Sequence, residues 1–221
     1  HTEPLRVSLI QPAIPQGEKW DAEAERSIRD RLLSLSDAAR REGEPDLLVW
    51  PETAIPDFLR ESPSSYGLVR RVVRSGTPLL LGGMDIEWRD GDAPRYFNTS
   101  FLIDPAGRIL NQYDKQHLVL FGEYVPFDGA IPFLDSLAPI EGSFTAGATG
   151  TVFRLPGRED AFSVLICFED SIARLARAQV RQGSQLLINQ TNDAWFDTSS
   201  ASVQHMAQSV FRCVENRVPA V

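Results

Sequence analysis

Short apolar runs alternate with an amphipathic segment at the start of the chain, and this alternation limits the fold more than any other feature. The run from Leu5 to Gln11 predicts a strand, and 21–41 places apolar residues at helical spacing among charged ones. A second apolar run, Asp46 to Trp50, stops at Pro51, which has no N–H to donate within a sheet. A strand, a helix and a strand in this order are typical of an α/β domain.

The same pattern continues along most of the sequence. It predicts strands at 78–83, 151–155, 161–167 and 185–189, a hairpin over 96–113, and helices at 66–74, 171–182 and 200–216. Residues 217–221 look like the beginning of one more strand. Because no repeat and no linker divides the 221 residues, the sequence predicts a single domain spanning 1–221.

The composition argues against several classes of protein. Hydrophobic residues make up 43% and charged residues 24%, so we expect an ordinary globular core. The net charge of -8 argues against nucleic acid as a partner, since phosphate binding requires a basic surface. We expect neither a membrane span nor a signal peptide from these residues. Two cysteines, Cys167 and Cys213, are too few for a disulfide framework but leave one bridge open.

Three polar residues follow apolar runs: Glu52, Lys115 and Cys167. Ligands of open α/β sheets bind at the carboxyl ends of strands, so these residues are candidates for a site. Taken singly, each has an ordinary explanation as a solvated acid, an exposed lysine or a small core residue. However, only Lys19 and Lys115 among 22 basic residues are lysines. This bias suggests that Lys115 supplies a compact ammonium where a guanidinium would not fit, while Lys19 has no assigned reason.

Together the three residues provide the parts of a nucleophilic site. A thiol becomes a good nucleophile when a base removes its proton or a cation lowers its pKa. Glu52 is the candidate base, with a pKa that burial is expected to raise, and Lys115 is the cation that keeps Glu52 ionised and then stabilises an oxyanion. The N–H of Phe168 is a second candidate oxyanion donor, assisted by a helix that starts near Ser171.

The sequences around these residues resemble those of the nitrilase, or carbon–nitrogen hydrolase, superfamily. They are LLVWPET (47–53), YDKQHL (113–118) and LICFED (165–170). Four further stretches look like the extracytoplasmic domain of the bacterial apolipoprotein N-acyltransferase family within it: PAIPQGEKW (12–20), HLVLFGEYVPF (117–127), NQTNDAWF (189–196) and 202–221. General nitrilases and amidases share the triad but not, as a rule, the FGEYVPF stretch.

The resemblance implies a four-layer α-β-β-α sandwich and an acyltransferase with a Glu52–Lys115–Cys167 triad. Cys167 would accept a fatty acyl chain from a phospholipid as a thioester. The N-terminal amine of a diacylglyceryl-cysteine lipoprotein would then receive that chain. No cofactor and no metal are implied.

Further site residues come from the same resemblance. It implies functional positions at Glu123, Glu169 and Trp20, where Glu123 could orient Lys115 and Glu169 could brace the turn after the cysteine. Phe168 stands where the family often has tyrosine, so any role of that hydroxyl is lost here. The main-chain donor of Phe168 is unaffected by this difference.

The resemblance also implies surroundings for the domain. We expect a catalytic domain on the periplasmic side of the bacterial inner membrane, excised from its transmembrane helices and its last strands, so that activity in isolation stays open. The irregular stretch 115–150 is read as functional, because loops of that length usually are. Within it, the apolar residues 118–134 form either a small core under the loop or a lid that contacts acyl chains or the membrane.

Other interpretations of the same residues stay open. A soluble amidase could use the triad on a small amide, and a non-catalytic nitrilase-like binding domain would need Cys167 to be no more reactive than Cys213. A Cys/His dyad with His117 or His205 is weakly supported, because His205 lies within a helical pattern. Zinc spacing and phosphate-loop motifs are absent from the sequence.

Overall fold

The chain forms two β-sheets with helices on their outer faces. A computed structural model describes residues 4–19, 23–120, 122–124, 143–196 and 199–221. The strands in these ranges are β1 (Val7–Leu9), β2 (Leu47–Val49), β3 (Leu79–Glu87), β4 (Arg95–Ile103), β5 (Ile109–Asp114), β6 (Val152–Arg154), β7 (Ala161–Ile166) and β8 (Leu186–Gln190). The helices are α1 (Gln16–Lys19), α2 (Glu25–Gly43), α3 (Pro63–Val73), α4 (Ala173–Arg181) and α5 (Ala201–Asn216), with 3-10 turns at Cys167–Ser171 and Asp193–Phe196.

Both sheets combine parallel and antiparallel strands, and the ends of β2 and β8 adjoin. In the described residues, β1 to β5 form the first sheet in sequence order, with β1, β2 and β3 parallel and β4 and β5 antiparallel to their neighbours. The second sheet has the order β6, β7, β8, in which β8 is parallel to β7. The Gln190 side chain at the end of β8 donates to the Trp50 carbonyl beyond β2 at 2.6 Å, so these carboxyl ends adjoin.

Buried side chains between the sheets form the inner core. It contains Leu47, Val49, Leu80, Leu102, Tyr113, Phe153, Phe162, Val164, Ile166 and Ile188. On the other face of the first sheet, a second core joins α2 and α3 to the strands through residues such as Leu32 and Val69. Helix α4 covers the second sheet, where Leu175 packs with Leu165. These layers confirm the predicted α-β-β-α sandwich.

Local contacts explain why the chain turns just before Glu52. The indole N–H of buried Trp50 donates to the Ser36 hydroxyl of α2 at 2.9 Å, and that hydroxyl donates to the Leu32 carbonyl at 2.7 Å. The end of β2 is therefore fixed to α2 by polar contacts as well as by burial. Gly82 of β3 lies under the turn, where an added Cβ would approach the Pro51 carbonyl oxygen to 2.4 Å.

Several element boundaries differ by a few residues from those that the sequence predicts. Strand β3 continues past Gly83 to Glu87. Its polar end, which interrupts the apolar run, includes buried Asp85, paired with Arg60 at 3.3 Å. Residues 167–171 form a 3-10 turn, so the helix expected near Ser171 begins at Ala173.

The last residues extend the second sheet as expected. Ala220 forms a parallel bridge with Leu187, and the Asn189 N–H donates to the Val221 carbonyl at 2.7 Å. Among the described helices, none has the length and apolar character required to cross a membrane. Both cysteines, Cys167 and Cys213, are free thiols.

Candidate active site

The three residues predicted from strand ends lie at one edge of the sandwich. Glu52 follows β2 after a two-residue turn, Lys115 follows β5, and Cys167 follows β7. Glu52 and Lys115 are in direct contact, and both act electrostatically on the Cys167 thiol. The arrangement brings together an acid, an amine and a sulfur at the carboxyl ends of strands from both sheets.

Glu52 is buried and fully partnered. Its Oε1 accepts hydrogen bonds from the Lys115 ammonium at 3.3 Å and from the Asn98 amide at 2.8 Å. Its Oε2 accepts from the main-chain N–H of Asn192 at 3.0 Å. Three donors and the nearby charge of Lys19 therefore favour the carboxylate form.

The pKa of Glu52 moves in the direction opposite to the one expected. Burial alone would raise this pKa, but the charge of Lys115, the hydrogen bond from Asn98 and the charge of Lys19 together hold it below its usual value. The expectation of a raised pKa is therefore wrong for the resting site. It counted burial and gave too little weight to the cations and donors around the carboxylate.

Lys115 is 1% exposed and is held between two carboxylates. Its ammonium donates to Glu123 at 2.8 Å as well as to Glu52, and its main-chain N–H donates to the Asn98 carbonyl at 2.9 Å. Burial opposes the charge, but Glu52 and Glu123 outweigh it and raise the pKa of Lys115. Gly147 lies against the same segment, because its N–H donates to the Lys115 carbonyl at 2.8 Å.

Cys167 follows the last residue of β7 with a backbone φ of 53°, a left-handed conformation that is uncommon for a residue with a side chain. Burial and the charge of Glu52 raise the pKa of the thiol to about 12, against the opposing effect of Lys115 and a hydrogen bond with Thr191. The resting residue is therefore a thiol. A base must remove its proton during a reaction.

Glu169 ties the cysteine turn to the lysine segment. One carboxylate oxygen accepts from the main-chain N–H groups of Gln116 at 2.7 Å and His117 at 3.0 Å, and the other accepts from Ile166 at 2.8 Å. The Tyr113 hydroxyl donates to both oxygens. These contacts agree with a bracing role, and burial raises the pKa of this carboxyl.

Fewer contacts are described for the other predicted site residues. Phe168 is 47% exposed. Val119 and Leu120 of the predicted lid are exposed, whereas 121 and 125–134 lie outside the described residues. Trp20 also lies outside them.

Sequence reasoning missed two polar residues beside Glu52. The Asn98 amide bridges Glu52 and Glu123, at 2.8 Å from each, and a buried asparagine within a strand gave no local signal. Lys19 is buried, and its ammonium donates to the main-chain carbonyl of Glu52 at 3.1 Å. Burial lowers the pKa of Lys19 to about 8, against the charges of Glu52 and Cys167. The scarcity of lysine was a usable signal for this residue too.

His205 lies close to Cys167 but is not arranged as a base for the thiol. Its Nδ1 is 2.9 Å from Asp193, and its Nε2 is 3.1 Å from the carbonyl oxygen of Cys167 and 3.2 Å from Asp170. The neighbouring Asp170 carboxylate is the main cause that raises the pKa of His205 to about 9. A protonated ring with both nitrogens occupied cannot accept the proton of Cys167.

A cleft of about 820 Å³ opens beside Glu52. Its walls in the described residues include Lys19, Pro51, Thr191 and Asn192. A substrate in this cleft would approach the turn that follows β2 and carries Glu52. The described lining of the cleft combines apolar residues such as Ile14 and Ile28 with the polar residues Gln11, Lys19, Glu52, Thr191, Asn192 and Asp193.

Comparison with known proteins identifies the family. Residues 6–221 match the carbon-nitrogen hydrolase family, and the chain belongs to it. The chain is 40% identical over 218 residues to the apolipoprotein N-acyltransferase of Geobacter metallireducens and 39% identical over 224 residues to that of Brucella suis. Each alignment covers 99% of this chain but only 42% of the relative, so the chain spans less than half the length of these relatives.

Solved structures show the same fold at low sequence identity. An amidase of the nitrilase superfamily from Nesterenkonia is 21% identical with a TM-score of 0.62, and the match covers 98% of this chain and 76% of that one. Nit3 from Saccharomyces cerevisiae, a member of branch 10 of the superfamily, is 20% identical with a TM-score of 0.66 over 97% and 73% of the two chains. These similarities concern the fold alone.

Proposed function

We propose that this chain is the catalytic domain of a phospholipid-dependent lipoprotein N-acyltransferase. The observation that carries the proposal is the contact of Lys115 with Glu52 beside a cysteine that both of them influence. Similarity to proteins named apolipoprotein N-acyltransferase over 99% of the chain supports the choice of reaction. The match covers 42% of these relatives, which supports one domain of a longer protein, and its attachment to a membrane is proposed on the resemblance alone.

In the first half-reaction Cys167 attacks the ester carbonyl of a phospholipid. Glu52, ionised at rest because its pKa is lowered, takes the thiol proton as the S–C bond forms. The ammonium of Lys115 and the N–H of Phe168 stabilise the oxyanion. The C–O bond then breaks, Glu52 returns its proton to the leaving oxygen, and a lysophospholipid departs from the acyl thioester.

In the second half-reaction the acceptor is the N-terminal amine of a diacylated lipoprotein. The neutral amine attacks the thioester carbonyl and forms a C–N bond, and Glu52 takes a proton from that amine. The C–S bond breaks and the proton passes to the thiolate of Cys167. Glu123 and Asn98 hold Lys115 and Glu52 in place during both steps, and Glu169 braces the turn of the nucleophile.

The lipid nature of both substrates implies where the domain works. We propose that it lies on the periplasmic side of the bacterial inner membrane and that residues 118–134 contact lipid. Exposure of Val119 and Leu120 supports this assignment. Trp20, adjacent to buried Lys19 in the sequence, is proposed as a substrate-contacting residue on the resemblance alone.

The proposal is tested by acyl-adduct formation in the protein at its full natural length. After incubation with detergent-solubilised phospholipid, intact-protein mass spectrometry is expected to show a fatty-acyl adduct that is absent in Cys167→Ser. Turnover of small amides without an adduct would favour an amidase. Absence of both would favour a non-catalytic domain.

The role of Lys115 has a separate test. Lys115→Arg keeps the charge but changes the shape of the donor, so adduct formation is expected to slow by about 10²–10³-fold, the effect of losing one oxyanion donor. Thermal unfolding controls for misfolding. Near-normal acylation in this variant would remove Lys115 from the mechanism.

A further inference from the structure

His205 contacts the nucleophile's peptide group, and the mechanism above does not use it. The residue is 6% exposed, and its Nε2 lies 3.1 Å from the carbonyl oxygen of Cys167. That carbonyl and the N–H of Phe168 belong to the same peptide unit. A hydrogen bond from His205 to the Cys167 carbonyl therefore acts, through the peptide, on the Phe168 N–H that is proposed to bind the oxyanion.

The geometry points to His205 as a positioning residue of acyl transfer, whose imidazolium polarises the Cys167–Phe168 peptide and strengthens the Phe168 N–H as an oxyanion donor. This inference rests on the proposed function. Hydrogen bonds from charged donors are about twice as strong as neutral ones, and successive hydrogen bonds through a peptide strengthen each other by roughly 10–30% each. Phe168 is 47% exposed, so a substrate can approach this peptide.

The surroundings of the ring keep it charged and correctly oriented. The carboxylate of Asp193 at 2.9 Å fixes Nδ1, so Nε2 faces the Cys167 carbonyl. Asp170 lies 3.2 Å from Nε2 and is itself held by Ser209 and by Arg212, which donates to its main-chain carbonyl at 3.0 Å. Among the described residues, Asp170 and Asp193 are the charged side chains in contact with the ring.

The same contacts connect His205 to the thiol by a second route. The Thr191 hydroxyl donates to Asp193 at 2.8 Å, and the Thr191 side chain is hydrogen-bonded to Cys167. This second route is the structural one, distinct from the contact of Nε2 with the Cys167 carbonyl. A purely structural role would affect every reaction of the thiol, whereas peptide polarisation affects only reactions that form an oxyanion.

This difference defines the experiment. Cys167 reacts with p-nitrophenyl butyrate through an oxyanion, forming a thioester and releasing p-nitrophenolate, while iodoacetamide alkylates the same sulfur without one. Both rates are measured in the full-length protein carrying Cys213→Ala, with and without His205→Gln. We expect His205→Gln to slow acylation by about tenfold, less than the loss of a whole donor, and to change alkylation by less than about twofold.

The pH dependence provides the second readout. In the parent protein the ratio of acylation to alkylation is expected to fall above about pH 9, where the pKa of His205 lies, and in His205→Gln the ratio should not change there. Asp193→Asn, which removes one source of the raised pKa, should move this fall to lower pH and serves if His205→Gln does not fold. Equal slowing of both reactions, or no change in their ratio, would overturn the inference. Because p-nitrophenyl butyrate is not a phospholipid, failure of the lipid reaction alone would reject the proposed function and leave this test intact.

Discussion

Helices α2 and α5 contact the rest of the domain through faces of opposite chemistry. Helix α2 buries apolar residues, with Ile28 and Leu32 inside the outer core and charged residues such as Arg31 exposed. Helix α5 buries His205 and Arg212. Its exposed residues include Val203, Met206, Val210, Phe211 and Val214.

The difference shows that the two helices are held by different forces. Burial of apolar surface holds α2 on the first sheet, as in an ordinary amphipathic helix. Helix α5 is held by polar contacts with the turn that carries Cys167, where Ser209 donates to Asp170 at 2.9 Å. Stability and site geometry should therefore respond separately to substitutions in the two helices.

The largest effect on stability is expected in α2. Leu32→Ala removes a fully buried side chain and should lower the free energy of unfolding by about 2–5 kcal/mol. Chemical denaturation measures this change, with exposed Arg31→Ala as the matched control. Acylation of Cys167 well below the unfolding transition should stay near the parent rate, and a large loss would show that α2 shapes the site.

A smaller effect on stability, with a larger effect on the site, is expected in α5. Ser209→Ala leaves a carboxylate oxygen of buried Asp170 without its donor, which should cost about 1–3 kcal/mol. It should also slow acylation, because Asp170 holds His205. Denaturation and acylation are compared with Gln204→Ala, at an exposed position of the same helix. An unchanged rate of acylation in Ser209→Ala would show that α5 does not influence the site.

The smallest effect is expected on the outer face of α5. Val210 is 58% exposed, so Val210→Ser should change the free energy of unfolding by less than about 0.5 kcal/mol. The equivalent change at fully buried Val72 of α3 provides the contrast and should be strongly destabilising. A loss at Val210 comparable to that at Val72 would contradict the polar attachment of α5.

The sequence predicted most of the strands because each buried strand is a local pattern, whereas the four layers came from the resemblance. Strands such as β2 and β7 are buried along their whole length, and a continuous apolar run reveals them. The polar end of β3 was missed because Asp85 is buried against Arg60, a contact that periodicity cannot show. The position of helix α5 in the sequence was predicted correctly. Which of its faces is buried depends on Asp170 in the 3-10 turn after β7, a contact that local periodicity does not show.

The residue pattern marked the candidate site only at strand ends, and the resemblance added Glu123 and Glu169. Glu52, Lys115 and Cys167 follow apolar runs, and the structure brings Glu52 and Lys115 into contact across 63 positions. Asn98 reaches Glu52 across 46 positions, and His205 reaches Cys167 across 38, with no local pattern at either residue. Their contribution depends on tertiary contacts, so single-sequence reasoning had no signal for it. The chemical roles of all these residues stay predictions.

The central claim is that Glu52, Lys115 and Cys167 form one electrostatically coupled group. The most direct test is a titration of the Cys167 thiol by ultraviolet absorbance of the thiolate, in a Cys213→Ala background. Since burial and the charge of Glu52 raise this pKa to about 12, Glu52→Gln should shift thiolate formation to lower pH, and Lys115→Met should shift it to higher pH. The same titration curve in all three proteins would show that the groups do not interact and would contradict the account.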